Sequence, residues 1–235
     1  MNELQHQPHQ PHTQEDIFGL MEKTANASIG FLKDLITVKG IALVSPLFIN
    51  KIKSEDIIIW MQRNFGIHAA FSDMDYAEAG ADIADDQANI VQNADIIVKL
   101  EPLTLKEAHL LRPKQLIVSS LDINTLSREY FQILKEKNIT AFALDYIEDM
   151  DGNSILNNIF YREETPAAIT TSLSLFIQPL LLAIAMTNSI RASIQTNPAL
   201  FQSLYTFNGD ITRKEIAQKL DMPWRDFTSL FWNLN

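Results

Sequence analysis

The chain has 235 residues, 46% of them hydrophobic and 20% charged, and a formal net charge of −10. That is enough apolar material for one real core, and an acidic surface repels phosphate, which argues against nucleic acid and anionic membrane as partners. No cysteine occurs and no two of the seven glycines are separated by a single residue. Disulfides, thiolate nucleophiles, cysteine-ligated metals, a GxGxxG nucleotide fingerprint and a Walker loop are therefore all excluded. The polar start of the chain, without a hydrophobic signal region, points to the cytoplasm.

Residues 1–13 (MNELQHQPHQPHT) read as a disordered tail rich in Gln, His and Pro. His6, His9 and His12 recur every third residue, but no fixed backbone preorganises them as metal ligands, so they count as a solvated tail. Residues 14–35 read as an amphipathic helix through Ile17, Leu20, Met21 and Ile29. Lys39–Val44 (KGIALV) reads as a strand, and Ser45–Pro46 opens a helix expected to run to about Asn64 and stop at Gly66. Ile67–Phe71 is a short strand candidate. Ser72 with Asp75 three residues on forms a capping box for a helix ending at Gly80, and Asp85–Asn93 is another helix. Asp95–Leu100 is a buried-type strand, and Thr104 with Glu107 caps the helix to Leu111. Gln115–Ser120, Asn124–Lys137 and Ile139–Leu144 follow as strand, helix and strand, and 148–153 (EDMDGN) as a turn.

The rest reads as helical. Thr165–Ile190 carries no charge, with Ile169, Leu173, Phe176, Ile177, Leu180 and Ile184 on one face and Thr170, Thr171, Ser174 and Gln178 on the other. It is long enough to span a bilayer, but its hydroxyls, the internal Pro179 and the missing basic flank favour a core helix. A segment Pro198–Tyr205, a helix Thr212–Leu220 with Glu215 at its third position, and a last helix from Pro223 to near Trp232 complete the chain. Trp224, Phe227, Phe231 and Trp232 form an apolar stripe on that last helix, read as packing.

Several stretches resemble the alanine dehydrogenase and proton-translocating transhydrogenase family. GIALVSP (40–46) is similar to its early Arg-Val-Ala-Leu-Thr-Pro motif, and FSDMDYAEAGADI (71–83) to its signature after the second strand. NADIIVKLEPLTLKE (93–107) resembles its Ala-Asp-Ile-Ile-Leu-Lys-Val run, and KNITAFALDYIEDMDG (137–152) the end of its first lobe. TTSLSLFIQPLLLAIA resembles the family's central helix, and residues 205–230 its C-terminal tail. The implied fold is α/β: a doubly wound, flavodoxin-like parallel sheet of about four or five strands (14–152) with a helical C-terminal part (165–235), all one domain.

Two departures stand out against the resemblance. The family places a Rossmann domain between first lobe and central helix, whereas here only Asn153–Glu164 fill that gap, so NAD, the family's cofactor, has no domain to hold it and no cofactor is expected. The family's carboxylate-clamping arginine falls at Gly40 or Ile41. Its two lysines fall at Lys99 and Glu101, its catalytic histidine at Leu121 or Asp122, and its helix asparagine at Leu175. Those changes remove a bidentate clamp and a proton relay, so no catalytic residue is assigned.

Lys99, Glu101, Ser120 and Asp122 remain as candidate substrate-binding residues, because they follow strands where α/β folds place ligands. For Asp122 a capping role for the segment from Asn124 is weighed beside it. Ser119 and Ser120 read as loop hydroxyls, with no histidine near in sequence to activate them. His68 and His109 read as structural, and Asp82, Asp85 and Asp86 as a solvated acidic surface rather than a cation site. The expected function is a non-catalytic binding or assembly module. Its partners would be a second copy, a full-length alanine dehydrogenase paralogue or a small amino or keto acid, with no nucleic acid and no membrane. The alternative is a subunit of a transhydrogenase-type oxidoreductase that works with a separate NAD-binding chain.

Overall fold

The computed structural model describes residues 27–35, 40–122, 124–125, 127–149, 151–160, 162–187, 189–228 and 231. The expected tail, most of the amphipathic helix of 14–35 and Trp232 lie outside these.

Among the described residues eight strands form one sheet in the order β3-β2-β1-β4-β5-β6-β7-β8. They are β1 Ser28–Phe31, β2 Ile58–Gln62, β3 Asp82–Ala84, β4 Ile96–Val98, β5 Leu116–Ser119, β6 Thr140–Ala143, β7 Leu204–Phe207 and β8 Asp210–Ile211. The first six are parallel, and β7 and β8 add antiparallel at one edge. With the short edge strand β3 set aside, β2-β1-β4-β5-β6 follow the flavodoxin order. The doubly wound α/β reading holds, with more strands than expected.

Ten helices among the described residues connect and cover the sheet: α1 Pro46–Lys53, α2 Asp73–Ala79, α3 Gln87–Asn93, α4 Leu105–Leu110, α5 Arg128–Glu136, α6 Ile155–Phe160, α7 Pro166–Ala185, α8 Ile190–Thr196, α9 Ala199–Ser203 and α10 Lys214–Leu220. Strand residues alternate between two cores. Ile29, Phe31, Ile96, Val98, Val118 and Phe142 face α1, α2, α6 and α7. Ile97, Ile117, Ala141 and Tyr205 face α3, α4, α5 and α10 on the other side. Two covered faces are what the parallel part of the sheet requires.

Several expectations are corrected. Residues 28–31 form the central strand β1, not the end of a helix; Gly30 allows the close approach, since a Cβ there would meet Ile90 Cγ2 at 2.5 Å. The helix from Pro46 stops at Lys53, and its expected second half is the strand β2. A short apolar run such as Ile57–Met61 fits either element, and β-branched Ile favours the strand. Among the described residues 40–45 there is no strand, and Ile67–Ala69 is a single 3₁₀ turn instead of one. β7 and β8 interrupt the expected all-helical C-terminal part. Their turn needs Asn208 at φ 48° and Gly209 at φ 82°, the left-handed pair that closes a tight hairpin. Residues 223–227 are not helical, and Trp224 bridges Ile211. Phe227 and Phe231 still pack as expected, both buried against Phe207.

The central helix α7 forms as expected. Thr165 Oγ1 caps Ala168 N, and Pro166 sits where no N–H is needed. It is the one helix among the described residues long and apolar enough to cross a membrane, and half of that span is buried inside the fold. On its polar side Thr170 and Ser174 are buried. Ala42 N donates to Thr170 Oγ1 (3.0 Å) and Ser45 N to Ser174 Oγ (2.8 Å), so these hydroxyls hold the 41–45 segment, which has no ladder of its own.

Candidate functional site

The strand order reverses between β1 and β4, so the segments following these two strands part on opposite faces of the sheet. In open α/β sheets a ligand crevice lies at that point, beyond the carboxyl ends of the strands. Residues 32–35 after β1, 99–104 after β4, 120–122 after β5 and 144–146 after β6 make this rim.

Lys99 follows β4 directly, and its side chain is fully buried. Nζ donates to both carboxylate oxygens of Glu107 at 3.0 Å and lies 3.9 Å from Glu101 Oε2. Glu107 in turn accepts from Thr104 N (2.7 Å) and Thr104 Oγ1 (2.9 Å), the reciprocal half of the box that starts α4. The sequence-expected anion contact is thus turned inward and bound to a helix cap. Glu101 is also structural: its Oε2 accepts from Leu35 N (2.9 Å), while its own N–H donates to Asp34 Oδ1 (2.8 Å). These two bonds staple the rim segments of β1 and β4 together across the switch point. Burial pushes the Asp34 carboxyl up to about 6, against the Glu101 N–H that stabilises its charge.

Ser120 is half-buried, and its N–H closes onto Leu100 O (3.1 Å). Ser119 is not a loop hydroxyl: it is the last residue of β5, fully buried, and donates to Ser120 O (3.0 Å). Asp122 is exposed and caps a turn, accepting from Asn124 N (2.9 Å) and Thr125 Oγ1 (3.1 Å). The cap of α5 itself is Ser127. Of the four candidates, then, Lys99 and Glu101 meet in one cluster, while Ser120 and Asp122 stand on the neighbouring loop.

Three rim carboxyls and a tyrosine pair belong to this site without a signal in the sequence. Asp34 falls in the expected first helix, and Glu107 reads only as a cap. Asp145, whose Oδ1 accepts from Leu121 N (2.8 Å), is raised by burial to about 6. Tyr130 and Tyr205 share a buried hydroxyl contact of 3.0 Å, and burial raises both phenols, Tyr130 to about 12. No local motif announces such pairings, because the partners are far apart in the chain.

Gly40 and Ile41, at the family's arginine position, offer no cation, and Ile41 is buried in the core. Leu175 is 66% exposed on α7. His109 sits in the last turn of α4, where its carbonyl accepts from Lys137 Nζ (2.6 Å). Asp85 pairs with Arg63 and Asp86 caps α3, so two of the three acids have structural partners. Among the described residues no group of three or more acids and histidines is placed to hold a metal. Away from the switch point, Tyr146, Arg213 and Trp224 border an open cavity of about 410 Å³ between the end of β6 and the C-terminal residues.

A doubly wound lobe with a crevice-forming switch point, its rim closed by internal ion pairs and hydrogen bonds, is the class that fold and site define. Residues 41–157 match the family model "Alanine dehydrogenase/PNT, N-terminal domain", and through this domain the chain belongs to that family. It is 27% identical over 137 residues (54% of this chain, 36% of the relative) to a chain of Rickettsia prowazekii (strain Madrid E) named as the first part of an NAD(P) transhydrogenase subunit alpha. It is 33% identical over 100 residues (40% and 19%) to "NAD(P) transhydrogenase subunit alpha" of Cereibacter sphaeroides. A solved L-alanine dehydrogenase shares the fold at TM-score 0.50 and 23% identity, covering 56% of this chain and 36% of that one. The chain spans about a third or less of the length of these relatives.

Proposed function

We propose that this chain is a subunit of a transhydrogenase-type oxidoreductase assembly, supplying the N-terminal-type lobe while a separate chain supplies the dinucleotide-binding fold. The observation that carries this reading is the junction between the two family-like parts. Among the described residues between β6 and α7, α6 packs against α7 and against the 3₁₀ turn Leu144–Tyr146. Ile155 N donates to Ile147 O (3.0 Å), Glu148 bridges Ser154, and Leu156 and Ile159 are buried. The segment between the 3₁₀ turn at Leu144–Tyr146 and α7 is too short to hold a nucleotide-binding domain at the place where the resemblance implies one. The similarity to chains named as transhydrogenase α subunits supports the same reading.

On its own the lobe is catalytically inert in this proposal. Lys99 is bound to Glu107, and no described side chain on the rim offers the arginine clamp or the histidine relay. The chain is homodimeric within the assembly. A small amino acid would meet the half-buried Ser120 and, through its ammonium, the exposed Asp122 rather than Lys99.

The test mixes the purified chain with a separately produced NAD(P)-binding transhydrogenase chain. Gel filtration should show a complex, and NADH should shift the melting temperature of the mixture but not of this chain alone. A thermal shift of the isolated chain by NADH, or NAD-dependent oxidation of alanine by it, would overturn the proposal, as would failure to bind the second chain.

A further inference from the structure

The subunit reading leaves unused the open cavity between the end of β6 and the C-terminal residues. Its volume of about 410 Å³ falls in the range of roughly 300–1,000 Å³ of small-molecule sites. Three chain segments converge on it: Tyr146 and Glu148 after β6, Arg213 and Lys214 after β8, and Trp224 and Asp226 after α10. The fold holds Arg213 in place. Its guanidinium carbon lies 5.1 Å from the centroid of the Tyr146 ring, Nε donates to Leu204 O (3.3 Å), and one terminal nitrogen lies 3.9 Å from Glu215 Oε1. An arginine carries five N–H donors in a rigid fork, so these contacts orient the group and leave donors for a ligand. Trp224 bridges Ile211 through its backbone, and its side chain borders the cavity. At 43% exposure it is the only aromatic among the eight large hydrophobic residues that stand exposed among the described ones.

The charges of the lining decide what fits. A lone organic cation would be drawn by Glu148, Glu215 and Asp226, but Arg213 already lies over the tyrosine face that such a cation would use. A lone anion would be drawn by Arg213 and Lys214, but would meet the three carboxylates. A ligand with both charges on one small group and a flat apolar body is complementary to all of it. We infer that this cavity binds a free aromatic α-amino acid, with its carboxylate on Arg213 and Lys214, its ammonium on Glu148 and Asp226, and its ring on Trp224. The amino and carboxylate groups of such a ligand sit on one carbon, so both signs of charge are answered at once. Ring stacking contributes beyond the area it buries. Alanine has the same charges but no ring, so it would leave Trp224 in water. Occupancy would tie the residues after β6 to those after α10 and so stabilise the C-terminal part against the sheet. The site stands apart from the rim around Ser120 and Asp122 and requires no nucleotide-binding chain, so it goes beyond the subunit reading.

Titration calorimetry of the full chain with L-tryptophan and with L-phenylalanine should show one site, and L-alanine should bind at least about tenfold more weakly. Tryptamine, which lacks the carboxylate, and indole-3-propionate, which lacks the ammonium, should each lose about tenfold or more against L-tryptophan. Trp224→Ala should weaken both aromatic amino acids about tenfold with unchanged circular dichroism, because the bridge to Ile211 is made by backbone. Lys214→Gln should weaken L-tryptophan but not tryptamine. The double variant Glu148→Gln, Asp226→Asn should weaken L-tryptophan but not indole-3-propionate, and asparagine keeps an oxygen for the Thr228 N–H. No heat from either aromatic amino acid at millimolar concentration, equal binding of L-alanine, or binding that survives Trp224→Ala would overturn the inference. The last result would place the ligand on the rim instead. Failure of a nucleotide-binding chain to join this one would leave these titrations unchanged, so the two proposals fail separately.

Discussion

Removing one member of the Lys99–Glu107 pair should be among the most damaging single changes in this protein. The Lys99 side chain has no exposure and that of Glu107 only 4%, so neither charge can turn to water when its partner goes. Glu107→Leu leaves the ammonium with Glu101 at 3.9 Å as its nearest carboxylate. Breaking such a buried pair costs about 3–5 kcal/mol. The same substitution removes the Thr104 box, for about 1 kcal/mol more. At 2–4 °C per kcal/mol for a domain of this size, the pair alone is worth roughly 6–20 °C in melting temperature. Lys99→Met strands the Glu107 carboxylate, but Thr104 N and Oγ1 still donate to it, so its cost should lie at the lower end. The double variant Lys99→Met, Glu107→Leu replaces both charges by apolar groups and should recover most of the loss, ending about 1 kcal/mol below wild type through the missing cap. Urea unfolding followed by circular dichroism measures all three. A Glu107→Leu cost under about 1 kcal/mol, or a double variant no better than the worse single one, would refute a closed, buried pair.

Asp34 and Asp145 both titrate near 6 in the folded chain, against an ordinary value of 3.8. The folded state therefore holds their protons more tightly, and these two groups favour folding below about pH 4, an advantage lost as pH rises to about 6. Asp34→Asn and Asp145→Asn keep an oxygen to accept from Glu101 N and Leu121 N. Each should gain stability relative to wild type at pH 7.5 compared with pH 4.5 in urea melts, and an unchanged difference would dismiss the burial effect. Thr170→Val and Ser174→Ala each strip the acceptor from a buried backbone N–H and should cost about 1–3 kcal/mol by the same assay, with no loss expected if water reaches Ala42 and Ser45. Gly209→Ala adds a Cβ 2.6 Å from Lys135 Cα at φ 82°, so it should cost about 1–3 kcal/mol, and a neutral result would mean the hairpin can shift away from α5.

The features legible in the sequence are those whose determinants are local. The boxes Ser72–Asp75 and Thr104–Glu107 and the uncharged core of α7 stand where their residues place them. The features that escape a sequence reading depend on distant partners. SIGF becomes a strand because β2 and β4 flank it, and Leu204–Phe207 because β6 offers an edge. Thr170 and Ser174 read only as the polar side of α7, and the sequence does not show that the N–H groups of Ala42 and Ser45 claim them as acceptors. At the rim the same limit applies. Position after a strand marks Lys99, but only the fold shows Glu107 closing over it.

The loop 148–154 has a consequence for engineering. Its ends already meet in the Glu148–Ser154 bridge, Asp149 draws in the N–H groups of Asp151 and Asn153, and at Gly152 an added Cβ would touch nothing within 4 Å. A folded guest whose own termini lie close together could be spliced in at Gly152 without parting β6 from α6. The place where the family resemblance implies a middle module is thus the place best suited to carry a reporter or a grafted domain.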